Sequence, residues 1–444
     1  MEPSLPYVDN LVSLLVVLDP GKVGREELLR VLRPDGEMLV QQGDRFVSTI
    51  KPRIAGTDEW THWRHGPDRN AVSQDKLVDV PRRVQWLFTS AAVGERSHVL
   101  LTKGRAFAQD RETLIARDAF NGLPLWKAKL QKGNAFDWEY AVKVAALIVA
   151  KDERVFALTD DGRLKALDAA TGKPVTVYEN AGIPRDILLV EDGRSPLGTL
   201  VLAGQDSIRA LDAESGRLLW QEPCDWPHTT ITSTDTVFYI VGSDRRGKLE
   251  GEIIARELLT GRQLWRKTYY WARRTDLGAF GYDRLFYEMR SPHNWRDFYA
   301  KHPEEKEQDR YGLVIVDAKT GEELRKLKVG SSARHGEFRT GFWRHRQLVT
   351  EAFAKEGLSI AIYDLDRWEK PAALFRANDV GDRGFGHCYP PVLTDRWYIN
   401  GQLNFTDLDT RQYASNQITR GACNTARSGY LPGNGMNCRV AVPV

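Results

Sequence analysis

Asp212-Ala-Glu-Ser-Gly-Arg-Leu-Leu-Trp220 is one copy of a motif that recurs along the chain: an acidic residue, a Thr or Ser, a Gly and a Trp, in that order. Further copies, some of them incomplete, begin at Asp118, Asp168, Glu257, Asp317, Asp364 and Asp407. From each copy to the next the chain advances 50, 44, 45, 60, 47 and 43 residues. Such a period predicts a repeat architecture in which each unit buries its apolar face against its neighbours.

The residue types of the motif predict a β-hairpin. The acidic and hydroxyl side chains can bond backbone groups of a tight turn, and glycine adopts a positive φ without steric cost. An apolar run such as residues 164–167 precedes the turn, and a short run such as residues 263–265 follows it. About four short strands per repeat are typical of a propeller blade. The expected fold class is therefore all-β, a β-propeller with a short α/β leader.

Tryptophan and glycine have a packing role in this interpretation. A Trp eight residues after the acidic residue can wedge between adjacent sheets while its indole N–H bonds a carbonyl. The residues expected to dock blade on blade are Trp86, Trp126, Trp220, Trp265, Gly122, Gly172, Gly216, Gly261 and Gly321. The motif therefore indicates a fold and is not a cofactor signature.

Strand patterns predict the number of blades. Seven three-strand sets lead into the motif copies, but only six outer strands follow them. An earlier run, Arg83-Val-Gln-Trp-Leu-Phe88, has the pattern of an outer strand with no turn before it. We expect this run to pair with the last set and close a ring of seven blades, because closure removes open sheet edges. A ring of eight blades is the alternative.

The motif resembles the tryptophan-docking repeat of the pyrroloquinoline-quinone (PQQ) type propellers over roughly residues 80–412. That family includes quinoprotein alcohol dehydrogenases and the lipoprotein propeller of the outer-membrane assembly machinery. The resemblance therefore implies the fold and leaves the activity open. The dehydrogenases share a vicinal Cys–Cys pair and acidic Ca²⁺ ligands beside a catalytic Asp. This sequence has no Cys–Cys pair, which weighs against PQQ with Ca²⁺ as a cofactor.

Residues 1–50 have a different pattern, a strand, an amphipathic helix and a second strand. Residues 11–17 are apolar, and residues 25–33 place Leu28 and Leu32 on one helix face before a Pro-Asp-Gly stop. The phrase Arg30-Val-Leu-Arg-Pro-Asp-Gly36 resembles the late helix and strand of class I S-adenosylmethionine methyltransferases, with Asp in place of a glycine. The resemblance implies a C-terminal remnant of such a domain without its cofactor loop. An isolated decoration is the alternative.

Residues 51–80 form a linker of unusual composition. Positions 57–70 contain two His, two Trp and two Arg. His62 and His65 are candidate metal ligands or acid–base groups, oriented by Asp58 or Asp68. The alternative is a linker whose Trp residues dock on the propeller and whose polar groups satisfy buried backbone. We favour it, because no complete metal-ligand spacing is present.

Polar loops extend this candidate site. A propeller brings one loop from each blade to a common axis, so residues distant in sequence can converge there. Histidines and arginines at the mouth of the channel would suit an anionic ligand. Together with His62 and His65, the candidate axial residues are His98, Arg334, His335, Arg339, His387 and Cys388. Ordinary polar loop residues are the alternative.

Charge and composition exclude two classes of function. The chain has 444 residues, 42% of them hydrophobic and 28% charged, which is typical of soluble domains. Its net charge of +3 predicts no nucleic-acid binding, and no apolar run is long enough to span a membrane. The N-terminus lacks the signal-peptide pattern, which predicts the cytoplasm, whereas the family resemblance implies the periplasm.

The propeller is expected over residues 81–412, and residues 413–444 form a tail. The tail is rich in Gly and Asn, which predicts loop rather than strand. Cys423 and Cys438 lie close together in it. We expect free thiols, with a disulfide as the alternative in an oxidising compartment. Both ends resemble cuts through a longer architecture.

These patterns predict a non-catalytic binding or scaffold propeller. It would act through its axial face on a protein partner, a small carbohydrate-like polar ligand or another domain. One alternative is a PQQ- or metal-dependent oxidoreductase of the quinoprotein type. Another is an inactive remnant of a methyltransferase–propeller fusion. The sequence indicates no oligomeric state.

Overall fold

β-Strands dominate the part of the chain that the computed structural model describes. The described residues are 4–81, 85–86, 99–110, 112–131, 135–137, 142–144, 148–204, 206–224, 228–241, 250–270, 277–290, 300, 303, 311–328, 341–354, 357–376, 391–400, 404–414, 430–433 and 436–439. Consecutive strands pair antiparallel in nearly every sheet, so the connections between them are hairpins and short turns.

The leader, residues 4–50, is a small α/β unit. It consists of β1 (Val12–Val17), α1 (Arg25–Val31), β2 (Leu32–Gln42) and β3 (Arg45–Ile50). β1 pairs parallel with β2, β2 pairs antiparallel with β3, and Leu28 of the helix packs against the sheet. The Pro-Asp-Gly sequence lies in a bulge of β2, where Asp35 has a φ of 57°. The resemblance of this unit to a methyltransferase tail stays a prediction.

Seven larger sheets follow in the described chain. Six have four consecutive strands, and the seventh has four consecutive strands and the short strand β4 (Val72–Ser73). Sheet 1 is β5 (Val99–Thr102), β6 (Arg105–Asp110), β7 (Thr113–Asp118) and β8 (Pro124–Lys129). A hairpin of β9 (Ala135–Asp137) and β10 (Val142–Val144) comes next. Sheet 2 is β11 (Val149–Lys151), β12 (Arg154–Leu158), β13 (Leu164–Asp168) and β14 (Pro174–Tyr178), and a 3₁₀ turn (Glu179–Ala181) follows it.

The remaining sheets repeat this arrangement. Sheet 3 is β15 (Asp186–Val190), β16 (Thr199–Ala203), β17 (Ser207–Asp212) and β18 (Leu218–Pro223). Sheet 4 is β19 (His228–Thr232), β20 (Thr236–Val241), β21 (Glu250–Glu257) and β22 (Gln263–Tyr270). Sheet 5 is β23 (Leu277–Gly281), β24 (Arg284–Arg290), β25 (Tyr311–Asp317) and β26 (Glu323–Lys328). Sheet 6 is β27 (Gly341–Arg344), β28 (Gln347–Ala354), β29 (Gly357–Asp364) and β30 (Ala373–Arg376). Sheet 7 is β31 (Val392–Thr394), β32 (Trp397–Ile399), β33 (Phe405–Asp407) and β34 (Tyr413–Ala414).

The innermost strands of the sheets form a ring. β5, β11, β15, β19, β23 and β27 contact one another in that order, and β4 lies between β27 and β31. A last hairpin, β35 (Tyr430–Gly433) and β36 (Met436–Arg439), lies between β31 and β5. The architecture is a β-propeller, as the sequence predicts. Seven sheets are described, and the blade number of the whole chain stays a prediction because the β35–β36 hairpin lies at an eighth position.

The outer strand of sheet 7 differs from the prediction. Residues 83–88 were expected to supply it, but β34 pairs with β33 and takes this position. The sequence Gln412-Tyr-Ala414 is too short and too polar to have signalled a strand. Trp86 contacts sheet 1 instead, with its indole N–H donating to the carbonyl of Ala119 at 3.1 Å.

Aromatic side chains dock each of sheets 1 to 4 onto the motif turn of the next sheet. The ring of Trp126 lies 2.6 Å from where a Cβ on Gly172 would sit, and its indole N–H donates to Ala169 O at 3.0 Å. A bare glycine is therefore required by the close approach as well as by its positive φ. The same arrangement joins Trp86 to Gly122, Trp220 to Gly261 and Trp265 to Gly321, and Tyr178 takes the place of Trp at Gly216.

The leader rests on the motif turn of sheet 1. In other turns a hydroxyl, such as that of Thr171, bonds its own Asp. Sheet 1 has Asn121 at this position, and its amide donates to Leu11 O at 3.0 Å and to the Ser13 hydroxyl at 2.8 Å. Arg33 adds an ion pair with the motif Asp118 at 2.6 Å. A change in the repeat thus attaches the leader to the ring.

Candidate functional site

The linker runs through the ring as an axial segment, residues 58–75. It contacts the innermost strand of each of the seven described sheets, in chain order. One amide N–H of every innermost strand donates to it at 2.9–3.0 Å, from Leu101 to Trp60 O, Ala150 to Thr61 O, Leu189 to His62 Nε2, Thr232 to Pro67 O, Phe280 to Asp68 O, Trp343 to Asn70 Oδ1, and Leu393 to Ala71 O. The axial segment therefore occupies the centre of the propeller.

These hydrogen bonds satisfy backbone N–H groups that the inner edges of propeller sheets leave without strand partners. An innermost strand has a neighbour on one side only, so its other edge presents backbone N–H groups without strand partners. A buried donor left unsatisfied costs about 1–3 kcal/mol. The axial segment supplies acceptors to all seven described sheets and, through β4, also pairs parallel with β31. It therefore ties together sheets that are otherwise in contact only with their neighbours.

Arg69 is the main charged contact of the axial segment. Its side chain is 1% exposed, and Nη2 lies 2.5 Å from the carboxylate of Asp186 at the start of β15. Nη1 donates to Trp63 O at 2.7 Å, and the guanidinium lies 5.4 Å from the centre of the Trp63 ring. A buried arginine needs such a set of partners, because an unpaired charge in this position would be strongly destabilising.

His62 is held in its neutral form by its partners. Nε2 accepts the backbone N–H of Leu189 at 3.0 Å, so it carries no proton, and Nδ1 lies 2.7 Å from the hydroxyl of Thr61. Burial lowers the pKa of His62 well below its usual value, and the charges of Arg69, His65 and Lys151 lower it further. His62 thus serves as a hydrogen-bond acceptor for sheet 3.

Asp58 joins the two ends of the axial segment as a clasp and also binds His65. His65 Nε2 lies 2.7 Å from Asp58 Oδ2, which also accepts the N–H of Gln74 at 2.6 Å and the hydroxyl of Ser73 at 3.2 Å. Burial, the largest single effect, lowers the pKa of His65. The hydrogen bond and charge of Asp58, with the charge of Asp68, outweigh it and raise that pKa overall. The two histidines therefore favour opposite charge states.

The turn inside the axial segment has unusual backbone geometry. Arg64, His65 and Arg69 have φ values of 65°, 79° and 57°, in the left-handed region that non-glycine residues seldom adopt. Each such residue costs on the order of 1 kcal/mol or more and persists only where its surroundings hold it. Here the Asp58 clasp and the Arg69–Asp186 pair hold the turn.

The predicted site residues separate into two groups. His62 and His65 lie in the axial segment, where the Nε2 of His62 accepts the Leu189 N–H and the Nε2 of His65 lies beside the Asp58 carboxylate. Among the residues the structure describes, no group of three or more His, Cys, Asp or Glu is placed to hold a metal ion. The other candidates, His98, Arg334, His335, Arg339, His387 and Cys388, lie outside the described residues, and their convergence stays a prediction.

The residues described at the axis do not fit the PQQ and Ca²⁺ of quinoprotein dehydrogenases. The space between the innermost strands contains the axial segment, with Trp60 at 2% and Arg69 at 1% exposure. Cys224 follows β18 directly, next to the outer edge of sheet 3 and away from the axis. We therefore assign no step of chemistry to such a group.

Sequence reasoning missed two contributors to this site and one groove. Arg69 and Asn70 lie in the unusual stretch, but their partners Asp186 and Trp343 are too distant in sequence to be recognised. A groove of about 700 Å³ lies on the turns of sheets 4 to 6. Its lining includes Asp235, Tyr282, Arg284, Leu324 and Arg346. Asp235, Tyr282 and Arg346 lie in hairpin turns, and Arg284 and Leu324 lie at the starts of β24 and β26, so their sequence signals only turns and strand ends.

The fold and the occupied axis define a β-propeller of the PQQ-like repeat class. The profile of the PQQ_2 family, described as outer membrane protein assembly factor BamB, matches residues 55–231 and, in a second overlapping match, residues 110–349. These matches span more than half of the chain, so the protein belongs to this family. The first match includes the whole axial segment. Comparison with curated protein sequences finds no match.

Solved structures of propellers are similar in fold. Quinohemoprotein alcohol dehydrogenase from Comamonas testosteroni has a TM-score of 0.55 at 13% identity, over 88% of this chain and 77% of that one. A europium-containing methanol dehydrogenase has a TM-score of 0.50 at 12% identity, over 82% and 86%. BamB from Moraxella catarrhalis has a TM-score of 0.41 at 15% identity, over 68% and 76%. At these identities the similarity shows the fold alone.

The sequence contains no apolar run that is long enough to span a membrane. Within the described ranges, no helix combines the length and the apolar character needed to cross a bilayer.

Proposed function

We propose that this propeller is a non-catalytic binding scaffold for a protein partner. One observation carries the proposal: the axis of the ring, the place where loops of all blades converge, is occupied by the chain's own residues 58–75. A channel filled in this way positions blades and leaves the two faces and the rim for contact with other molecules.

Family membership supports a protein as the partner. The family is described as an outer membrane protein assembly factor, and an assembly factor acts on other proteins. We extend this role to the present chain and propose association with the outer membrane on its periplasmic side. A small polar ligand has a separate place in the groove of sheets 4 to 6, where acidic, basic and aromatic side chains lie side by side.

The oxidoreductase alternative has weaker support. Its basis is the similarity in fold to alcohol and methanol dehydrogenases, and a shared propeller does not carry chemistry with it. Neither a Cys–Cys pair in the sequence nor a metal-binding group among the described residues supplies the missing chemistry. The methyltransferase-like origin of the leader is likewise a proposal, and we expect the leader to bind no S-adenosylmethionine.

Reconstitution with quinone tests the proposal. The purified chain would be incubated with PQQ and Ca²⁺, and bound quinone would be measured by absorbance after gel filtration. We expect no stoichiometric binding and no dye-linked oxidation of alcohols. A quinoprotein alcohol dehydrogenase taken through the same steps is the positive control. One quinone per chain together with turnover would overturn the scaffold assignment.

A further inference from the structure

The axial segment depends on an uncharged histidine at a buried position. His62 is 1% exposed, and its Nε2 is the acceptor for the Leu189 N–H of the innermost strand of sheet 3. A proton on Nε2 would turn this acceptor into a donor, so two N–H groups would point at each other at about hydrogen-bond distance. Protonation of His62 is therefore incompatible with the seated axial segment.

The charges around His62 strengthen this conflict. From its own segment, Arg69 and His65 face it, and from β11 Lys151 adds a third basic group. β15 presents the Leu189 backbone and the Asp186 carboxylate, which is already paired with Arg69. Lys151 is paired with Glu191. A positive His62 would thus enter an environment with more positive than unengaged negative charge.

The clasp around His65 responds to acid in the opposite way. Protonated His65 faces the carboxylates of Asp58 and Asp68, so added protons first strengthen its contacts. Asp58 also accepts Ser73 and Gln74, which fixes both ends of the segment. Acid therefore weakens the middle of the segment while its ends remain clasped.

We propose that the axial segment is a pH-sensitive latch, seated against sheet 3 while His62 is neutral and released there when His62 takes up a proton. Release is local: it separates residues 61–63 from β15 and frees the Leu189 N–H, and it leaves the Asp58 clasp closed. In mild acid the ring thereby loses the bond between the axial segment and sheet 3 without unfolding.

The direction of the pH effect follows from linkage. The pKa of His62 is lower in the folded chain than in a released one, so the released form binds the extra proton. The contribution of neutral His62 is complete above about pH 6.5 and is lost as the pH falls below that value. One proton per opening predicts a change of about tenfold in the opening equilibrium for each pH unit in this range.

Hydrogen–deuterium exchange by mass spectrometry tests the latch in the full chain. Protection of peptides from residues 58–75 and 186–190, corrected for intrinsic rates, would be followed from pH 7.5 to pH 5. We expect protection to fall about tenfold per pH unit below pH 6.5. A peptide from residues 154–168 in sheet 2 is the internal reference and should stay constant.

A His62→Gln variant supplies the matched control, because a glutamine oxygen accepts the Leu189 N–H and does not titrate. Its protection should be independent of pH over the same range, while a His65→Gln variant should keep the wild-type slope. The wild-type profile decides the matter even if His62→Gln fails to fold. A flat wild-type profile, an equal slope in His62→Gln, or simultaneous loss of protection in the reference peptide would each overturn the latch.

Discussion

Two sets of contacts hold this ring together. One is the rim, where the motif turns lie, and the other is the hub, which is the axial segment of residues 58–75. At the rim, an aromatic side chain of one sheet packs on the motif glycine of the next, and the contact is repeated from sheet 1 to sheet 5. At the hub, a single segment bonds all seven described innermost strands. Repeated contacts add nearly independent increments of stability, as in other repeat proteins. A shared segment couples distant sheets, so one change there affects the whole ring.

The largest effect is expected from breaking the hub at Arg69. Replacing it in an Arg69→Met variant leaves the Asp186 carboxylate without its partner and removes the donor to Trp63 O. Removal of one member of a buried ion pair costs about 3–5 kcal/mol. Guanidinium denaturation would measure the loss in the free energy of unfolding.

The control for Arg69 is an exposed ion pair of similar chemistry. Arg163 pairs with Glu179 at 3.4 Å, and both side chains are more than half exposed. An Arg163→Met variant should change stability by less than about 1 kcal/mol. Equal losses in the free energy of unfolding would show that the Arg69–Asp186 pair stabilises the chain no more than an exposed ion pair does.

A rim contact is expected to be next in size. Gly172→Ala introduces a Cβ at 2.6 Å from the Trp126 ring, at a residue whose φ is 71°. Gly162→Ala in the same sheet has a similar φ of 78° but nothing within 4 Å of the new atom. Both variants share the cost of left-handed backbone, about 1–2 kcal/mol. The clash should add about 1–3 kcal/mol in Gly172→Ala alone, measured by the same denaturation. Equal losses in the free energy of unfolding of the two variants would show that the contact with Trp126 accommodates a Cβ at residue 172.

The rim was predictable because its chemistry is local. The Asp, Gly and Trp of a motif copy lie within nine residues, and turn chemistry and hairpin pairing follow from that spacing. Even Tyr178, two residues beyond the Trp position, makes the rim contact, since its hydroxyl donates to Ala213 O at 2.5 Å. Sequence reasoning does not see such a replacement, because Thr176 occupies the Trp position of that copy.

The hub was not predictable in the same way. His62 reaches Leu189 across 127 residues and Asn70 reaches Trp343 across 273, and no periodicity connects them. The sequence did indicate a linker whose polar groups satisfy buried backbone, and His62 does this for Leu189. That the linker lies inside the ring follows only when the innermost strands are in place and their edges need partners.

The third effect in order of size concerns His65, whose contribution to stability depends on pH in the opposite direction to that of His62. The pKa of His65 is raised in the folded chain, so its contribution is present below about pH 6.5 and is lost as the pH rises through the folded value. In His65→Gln the amide still donates to Asp58 and does not titrate. Between pH 6 and pH 9 the wild type should lose on the order of 1 kcal/mol relative to this variant in denaturation experiments. Parallel profiles would show that the clasp does not depend on charge.

The smallest effect concerns the rim turn of sheet 1, where Asn121 replaces the hydroxyl residue of the repeat. Asn121→Thr would let the turn of sheet 1 close on Asp118, as Thr171 does on Asp168, at the cost of both bonds to the leader. Two exposed or half-exposed hydrogen bonds contribute about 1 kcal/mol in total. Exchange protection should therefore fall in residues 11–17 and stay unchanged in sheets 2 to 7.

A reciprocal variant shows whether the leader or the turn is responsible. Thr171→Asn in sheet 2 has no leader to bond, so it should lose only its own hydroxyl contact with Asp168 and leave residues 11–17 protected. If Asn121→Thr also leaves the leader protected, the remaining contacts hold it, chief among them the ion pair of Arg33 with Asp118. The leader would then depend on an ion pair that salt can screen, and its protection should fall as ionic strength rises.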